Sequence, residues 1–263
     1  MIRALNTAAS GMTAQQLNLD SIAHNLANSS TAGFKARRAQ FQDLIYQSMS
    51  QPGASAGQQT TTPVGLQLGL GTRTVANEII FSQGNITQTD NNLDLAIQGK
   101  GFFQIRRATG ELAYTRAGLF QLDRNGTMVT AEGDPLEPQI TIPANAQTVT
   151  IAQDGTVSYT MAGQNAAQRA GQIQLANFQN PAGLNSLGNS LFTPTDASGD
   201  AQVGIPGGAE GLGTVLQGYS EQSNVNVVEE FVNMIQSQRA YEANSRVIKA
   251  ADEMYQQINQ VTQ

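Results

Sequence analysis

Apolar residues recur at steps of three and four over two long stretches of this chain, one at each end. At the start, Ile2, Leu5, Ala9, Met12, Gln16, Leu19, Ala23 and Leu26 alternate those steps without a break, which predicts a helix with a seam of nearly four heptads. At the end, Phe231, Met234, Gln238, Tyr241, Ser245, Ile248, Ala251, Tyr255 and Ile258 do the same inside a stretch, 224–263, that holds neither Gly nor Pro. Asn226 is placed as its N-cap, with Glu229 three residues on and Glu230 beside it at the positive end of the helix dipole. Nothing between the two seams supplies a third of similar length, so they are expected to pair. Gln16, Gln238 and Ser245 interrupt them with polar groups, which leaves a two-helix pair marginal by itself and points to other copies of the chain for the rest of the packing.

Between the ends the pattern changes to strands. Val75–Ile80, Leu93–Ile97, Phe102–Ile105, Leu112–Thr115, Leu119–Leu122 and Ile173–Phe178 read as short strands separated by Gly, Asn and Asp. Asn125-Gly126 and Asp154-Gly155 each sit between β-type runs and predict two-residue hairpin turns of type I′. Asn28 to Lys35 supplies turn chemistry around Gly33, and ARRAQFQDLIYQSM after it reads as a short helix. The expected fold is therefore α+β. Terminal helices, 1–34 and 224–263, pair as a coiled-coil-like domain, 35–72 forms an extended linker, and 73–223 forms an inserted, mostly antiparallel β domain.

Composition narrows the function classes. Charged residues make up 13% of the chain, about half the usual share, so the surface is mostly uncharged and polar. A net charge of −6 argues against a nucleic-acid partner, which needs a basic field. Lys35, Arg37 and Arg38 form the densest basic cluster and read as a solvated loop. There is no cysteine, hence no disulfide or thiolate metal site, and no run approaches the roughly 20 apolar residues of a membrane span. The first residues lack the continuous apolar core of a secretory signal peptide, so export would need another route.

Catalytic patterns are thin. His24 is the one histidine, and Asp20 four residues before it is far short of a metal site. Gly99-Lys100-Gly101 has the look of a phosphate loop without its remaining residues, and turn glycines explain it. Asp123, Asp134, Glu137 and Asp154 cluster near turns, where carboxylates commonly cap local backbone. No catalytic residue, metal or cofactor is expected.

Three stretches in order carry a resemblance: AQQLNLDSIAHNLANSSTAGFKARRAQFQDLIYQ, then LDLAIQGKGFFQI at 93–105, then QGYSEQSNVNVVEEFVNMIQSQRAYEANSRVIKAADEMYQQI. They resemble the flagellar rod and hook family of axial proteins, most closely its distal-rod members. The family turn usually has Pro or Asn before its Gly, where this chain has Ala32. The resemblance implies a structural subunit, exported by the flagellar type III apparatus, that stacks helically with itself. It also implies contacts with proximal rod proteins, the hook protein and the surrounding P- and L-rings, in the periplasm. Paired termini would form an inner tube and the β domain an outer layer. The uncharged insert Ser48–Gly65 is the feature that would stiffen a distal rod relative to a hook. The assembly residues expected on this basis are Leu5, Met12, Leu19, Leu26, Gly33, Phe34, Phe231, Gln238, Tyr241, Ser245, Ile248 and Tyr255. A proximal rod or hook protein, and a peptidoglycan-acting enzyme carried on the rod, are the alternatives.

Overall fold

The computed structural model describes residues 2–50, 64–161, 166–208 and 211–261. Two compact units are present. The first gathers residues 1–26, 37–78 and 226–263, and the second residues 27–36 and 79–225.

The first unit holds both long helices. Helix α1 spans Ile2–Ala27 and α2 spans Val227–Val261, within a few residues of the bounds that the seams predict. The N-cap of α2 is Asn226, whose Oδ1 accepts the N–H of Val228 at 3.1 Å and of Glu229 at 3.5 Å. That satisfies two donors the first helical turn leaves open. The helices run antiparallel, since Asn18 bonds Ser237 while Asn25 bonds Glu230.

The short helix expected from ARRAQFQDLIYQSM does not form. Those residues are instead strand β1 (Arg37–Asp43) and strand β2 (Tyr46–Ser50). Strand β3 (Leu66–Gly69) pairs antiparallel with β2, and β4 (Thr72–Ile79) lies beside β1. A helix of some fourteen residues, with Phe41, Leu44, Ile45 and Met49 as its apolar anchors, is marginal in water, and the β2–β3 and β1–β4 ladders outweigh it. A turn at Gly71 joins β3 to β4 and meets α1, where the Oγ of Ser10 accepts the Thr72 N–H. Most of the insert, residues 51–63, lies outside the described residues.

The second unit is built from short strands. They are β5 (Ile86–Gln88), β6 (Leu95–Gln98), β7 (Phe102–Arg106), β8 (Leu112–Thr115), β9 (Gln121–Leu122), β10 (Met128–Val129), β11 (Leu136–Glu137) and β12 (Ala146–Ile151). Then follow β13 (Thr156–Met161), β14 (Gln168–Gln172), β15 (Leu175–Asn177), β16 (Asn185–Gly188), β17 (Leu191–Thr193), β18 (Gln202–Gly204), β19 (Thr214–Gln217) and β20 (Tyr219–Glu221). The main sheet runs β16-β17-β8-β7-β15-β18 with β11 also on β7, a second sheet runs β12-β13-β14, and its ladders are antiparallel throughout.

Its core is built on these strands, and burial along β6 and β7 is continuous rather than alternating. Leu95, Ile97, Phe103, Phe120, Met128 and Ile140 centre one buried cluster, and a second forms around Phe102, Tyr114, Phe178 and Phe192. In the latter, Phe102 meets Phe81 and Phe178 edge to face at 5.4 and 5.7 Å, the arrangement ring quadrupoles favour.

The Asn125-Gly126 and Asp154-Gly155 turns differ from the type I′ expectation. In both, only the glycine has positive φ, and its N–H bonds the carbonyl three residues back, of Asp123 and Ala152. Each is thus a type I turn closed by a left-handed glycine, the three-residue hairpin connection. The same turn recurs at 107–111 and 130–134. A residue of αR habit at Asn125 or Asp154 suits it, whereas type I′ would need positive φ there. Asn189 and Ser190, both at positive φ between β16 and β17, supply the I′ geometry instead.

Candidate assembly surface

Most of the large apolar side chains that the structure leaves exposed belong to the first unit. On α2, Val228 is 73% exposed, and Phe231, Val232 and Ile235 are each close to half exposed; their spacing of three and four makes one continuous stripe. On the β2–β3 hairpin and its flanks, Ile45 is 81% and Val64 79% exposed, and Tyr46, Met49, Leu66, Leu68 and Leu70 are exposed with them. Contiguous exposure on this scale marks an interaction surface. The hairpin segments 45–50 and 64–70 carry no charge, whereas the α2 stripe is flanked by Glu229 and Glu230.

The expected assembly residues divide accordingly. Phe231, Gln238 and Tyr241 are exposed; Leu5, Met12, Leu19, Leu26, Phe34, Ser245, Ile248 and Tyr255 are half-buried; Gly33 is buried. Within the chain, α1 meets α2 one position away from the expected N-terminal seam. The inter-helix contacts use Gly11, Asn18 and Asn25, while Ala8, Ala14, Ser21 and Ile22 are the other buried positions of α1. The periodicity revealed the helices but could not decide which of two adjacent faces turns inward, because the inner face is small and polar where a seam search looks for large and apolar.

Asn25, 1% exposed, is the hub of this inner face. Its Nδ2 donates to Glu230 Oε1 and to the Arg37 carbonyl, both at 2.8 Å, and its Oδ1 accepts the Arg37 N–H at 2.8 Å. Burial raises the Glu230 carboxyl above the usual range, the Asn25 amide pulls it back down, and the neighbouring Glu229 charge adds to the rise.

The second unit contains a buried ionic cluster. Lys35, expected in a solvated loop, is 3% exposed. Its Nζ lies 2.6 Å from Glu221 Oε1 and 2.7 Å from the Ser82 carbonyl. Glu221 Oε2 accepts Arg116 Nε at 2.9 Å, and Oε1 also accepts the Gly84 N–H at 2.9 Å. Arg116 donates through a terminal nitrogen to the Gly99 and Gly101 carbonyls. Desolvation is the largest effect on Lys35 and holds its ammonium below the ordinary lysine value, against the pull of Glu221. Partners 186 residues apart leave no local signal; the basic cluster splits, with Lys35 inside and Arg38 on the surface beside Glu78.

Gly33 sits at φ +68°, and its N–H bonds the Glu221 carbonyl at 2.8 Å. A Cβ there would stand 2.4 Å from the Ala117 nitrogen. Gly33→Ala is therefore expected to cost about 1–2 kcal/mol from backbone strain alone, with more from the contact. Thermal unfolding of the full chain reads this as a fall in Tm, and an unchanged Tm would show that the turn relaxes freely.

A cleft of about 490 Å³ in the second unit is lined by residues including Phe81, Lys100, Phe102, Arg116 and Phe178. No carboxylate, histidine or hydroxyl is among its lining side chains, so it holds no acid–base pair for hydrolysis. Among the described residues no group of His, Asp and Glu could hold a metal ion, and no helix is long and apolar enough to cross a membrane.

Comparison with known proteins agrees with the resemblance at both ends and in the middle. Residues 5–35 match the flagella basal body rod protein family, 96–159 the D1 domain of the flagellar hook protein FlgE/F/G family, and 216–261 the C-terminal family of flagellar basal body rod FlgEFG proteins. The chain is 51% identical over 261 residues to the flagellar basal-body rod protein FlgG of Buchnera aphidicola subsp. Schizaphis graminum, covering 99% of this chain and 100% of that one. It is 48% identical over 261 residues to FlgG of Caulobacter vibrioides, covering 99% of each. It is 38% identical over 262 residues to FlgG of Bacillus subtilis, covering 98% of each.

Proposed function

This chain belongs to the flagellar basal-body rod protein family, and from that premise we propose that it polymerises helically into the distal rod, the shaft that carries torque to the hook. The observation that carries the reading is the apolar stripe of α2 and the apolar β2–β3 hairpin, exposed in a chain with little charge to keep copies apart. A surface of this kind repeated by a rotation that does not close generates a filament. Torque then passes through many uncharged contacts in parallel, none of which needs to be strong.

In this reading the terminal helices form a coiled-coil-like inner tube, with Leu5, Met12, Leu19, Leu26, Phe231, Gln238, Tyr241, Ser245, Ile248 and Tyr255 at or near contacts between copies. Gly33 and Phe34 shape the turn after α1. The Ser48–Gly65 insert stiffens the shaft. The β unit faces outward, toward the P- and L-rings, and the rod ends meet proximal rod proteins and the hook protein. The chain reaches this place through the type III export apparatus and has no enzymatic role.

Sedimentation velocity of the purified chain over a concentration series tests the self-assembly. Growth of fast-sedimenting species above a threshold concentration, seen as filaments in electron micrographs, is the expected result. A monomer at every concentration would remove the basis of the proposal.

A further inference from the structure

Three inter-helix contacts among the described residues of the first unit share one spacing. Gly11 faces Asn244, Asn18 bonds Ser237 at 2.7 Å, and Asn25 bonds Glu230 at 2.8 Å. Each step is seven residues up α1 and seven down α2, so the contacts occupy a single heptad position along an antiparallel pair. All of them are polar or small, and Asn25 and Ser237 are buried although much of α2 is exposed.

We propose that Gly11, Asn18 and Asn25 form a polar register lock that dedicates this face of α1 to the chain's own α2 at one fixed offset. The adjacent apolar heptad of Leu5, Met12, Leu19 and Leu26 is thereby left for other copies, a consequence that rests on the assembly reading above; the lock itself does not.

Competing arrangements show why this face specifies the pairing. A Cβ at residue 11 would stand 2.9 Å from Asn244 Nδ2, so Asn244 occupies the slot that a glycine leaves. Sliding α2 by one heptad in one direction sets Asn18 against Asn244, where there is no slot, and the helices must separate. Sliding it the other way carries the partner of Asn25 past the start of α2 at Val227. That leaves a 1% exposed amide without its carboxylate partner, and a buried polar group stripped of its partner is costly. Rotating α1 to bring its leucines inward would pull Asn25 away from both Glu230 and Arg37. A single polar position that fixes register at some expense of stability is an established device in helical pairs.

The chain has no cysteine, so introduced pairs report without background. Dilute full-length protein carrying N18C/S237C is expected to oxidise to an intrachain disulfide at least tenfold faster than G11C/S237C, which is one heptad out of step, or L19C/Q238C, which joins the outer seams. Adding G11L to N18C/S237C should lower that rate several-fold, because the leucine occupies the space of Asn244. Intrachain closure is identified by mobility and mass and is independent of protein concentration. Equal rates for the three pairs, a rate insensitive to G11L, or products mainly between chains would each overturn the lock. Because the assay is run on dilute monomer, its outcome does not depend on whether the chain polymerises.

Discussion

Glu221→Gln is expected to destabilise the second unit by about 3–5 kcal/mol, the cost of removing one partner from a buried ion pair. For a unit of this size that lowers Tm by roughly 10 °C. The side chain is isosteric, so packing is preserved and the loss is electrostatic. Among the described residues Glu221 is the sole carboxylate contacting both Lys35 and Arg116, and all three are at most 5% exposed. Without it two cations face one another in a desolvated site. Arg116 keeps its bonds to the Gly99 and Gly101 carbonyls, while Lys35 keeps only Ser82 among its bonded partners outside the cluster. The cost should therefore fall mainly on Lys35, and Lys35→Met added to Glu221→Gln should restore part of the lost stability. Thermal unfolding of the full chain, followed by a signal from the β unit, reads both effects. A Tm change within about 2 °C for the single variant would show that water reaches the cluster and screens it.

Phe231→Asp has the opposite character: little effect on the monomer and a large one on assembly. Phe231 is 48% exposed and lies in the second turn of α2. Substitution at such a position ordinarily changes stability by about 0.5 kcal/mol or less. If the stripe Val228, Phe231, Val232 and Ile235 is buried between copies, each subunit must instead desolvate a carboxylate with no partner, at several kcal/mol. Every 1.4 kcal/mol is tenfold in an association constant. The threshold for polymerisation should therefore rise more than a hundredfold, which is loss of assembly at accessible concentrations. Wild-type thresholds with an unchanged monomer Tm would place Phe231 off the interface.

What the sequence made legible was whatever is encoded locally. Both terminal helices, the Asn226 cap and the strand at Leu112–Thr115 follow from period and capping chemistry within one window. What it concealed depends on distant partners. Residues 36–49 have enough apolar residues for a short amphipathic helix, and they form strands because β4 lies beside β1 and β3 pairs with β2. Lys35 reads as one more basic loop residue, and only Glu221 and Arg116 show that it is buried. The inner face of α1 was hidden for a third reason. Gly11, Asn18 and Asn25 are the residue types a hydrophobic-period search passes over, yet they are what the chain turns toward its own α2, and the leucines beside them are only half-buried. The outer seam that the periodicity does reveal is the surface assigned here to neighbouring copies.

That assignment is tested most directly by a density map of the assembled protein at side-chain resolution. Phe231, Val228 and Ile235 are expected within van der Waals contact of another copy, with Leu5, Met12, Leu19 and Leu26 at the same inter-copy boundary and Asn18 still on Ser237 of its own chain. A map in which the α2 stripe faces solvent or the channel, and copies meet through the β units alone, would contradict it.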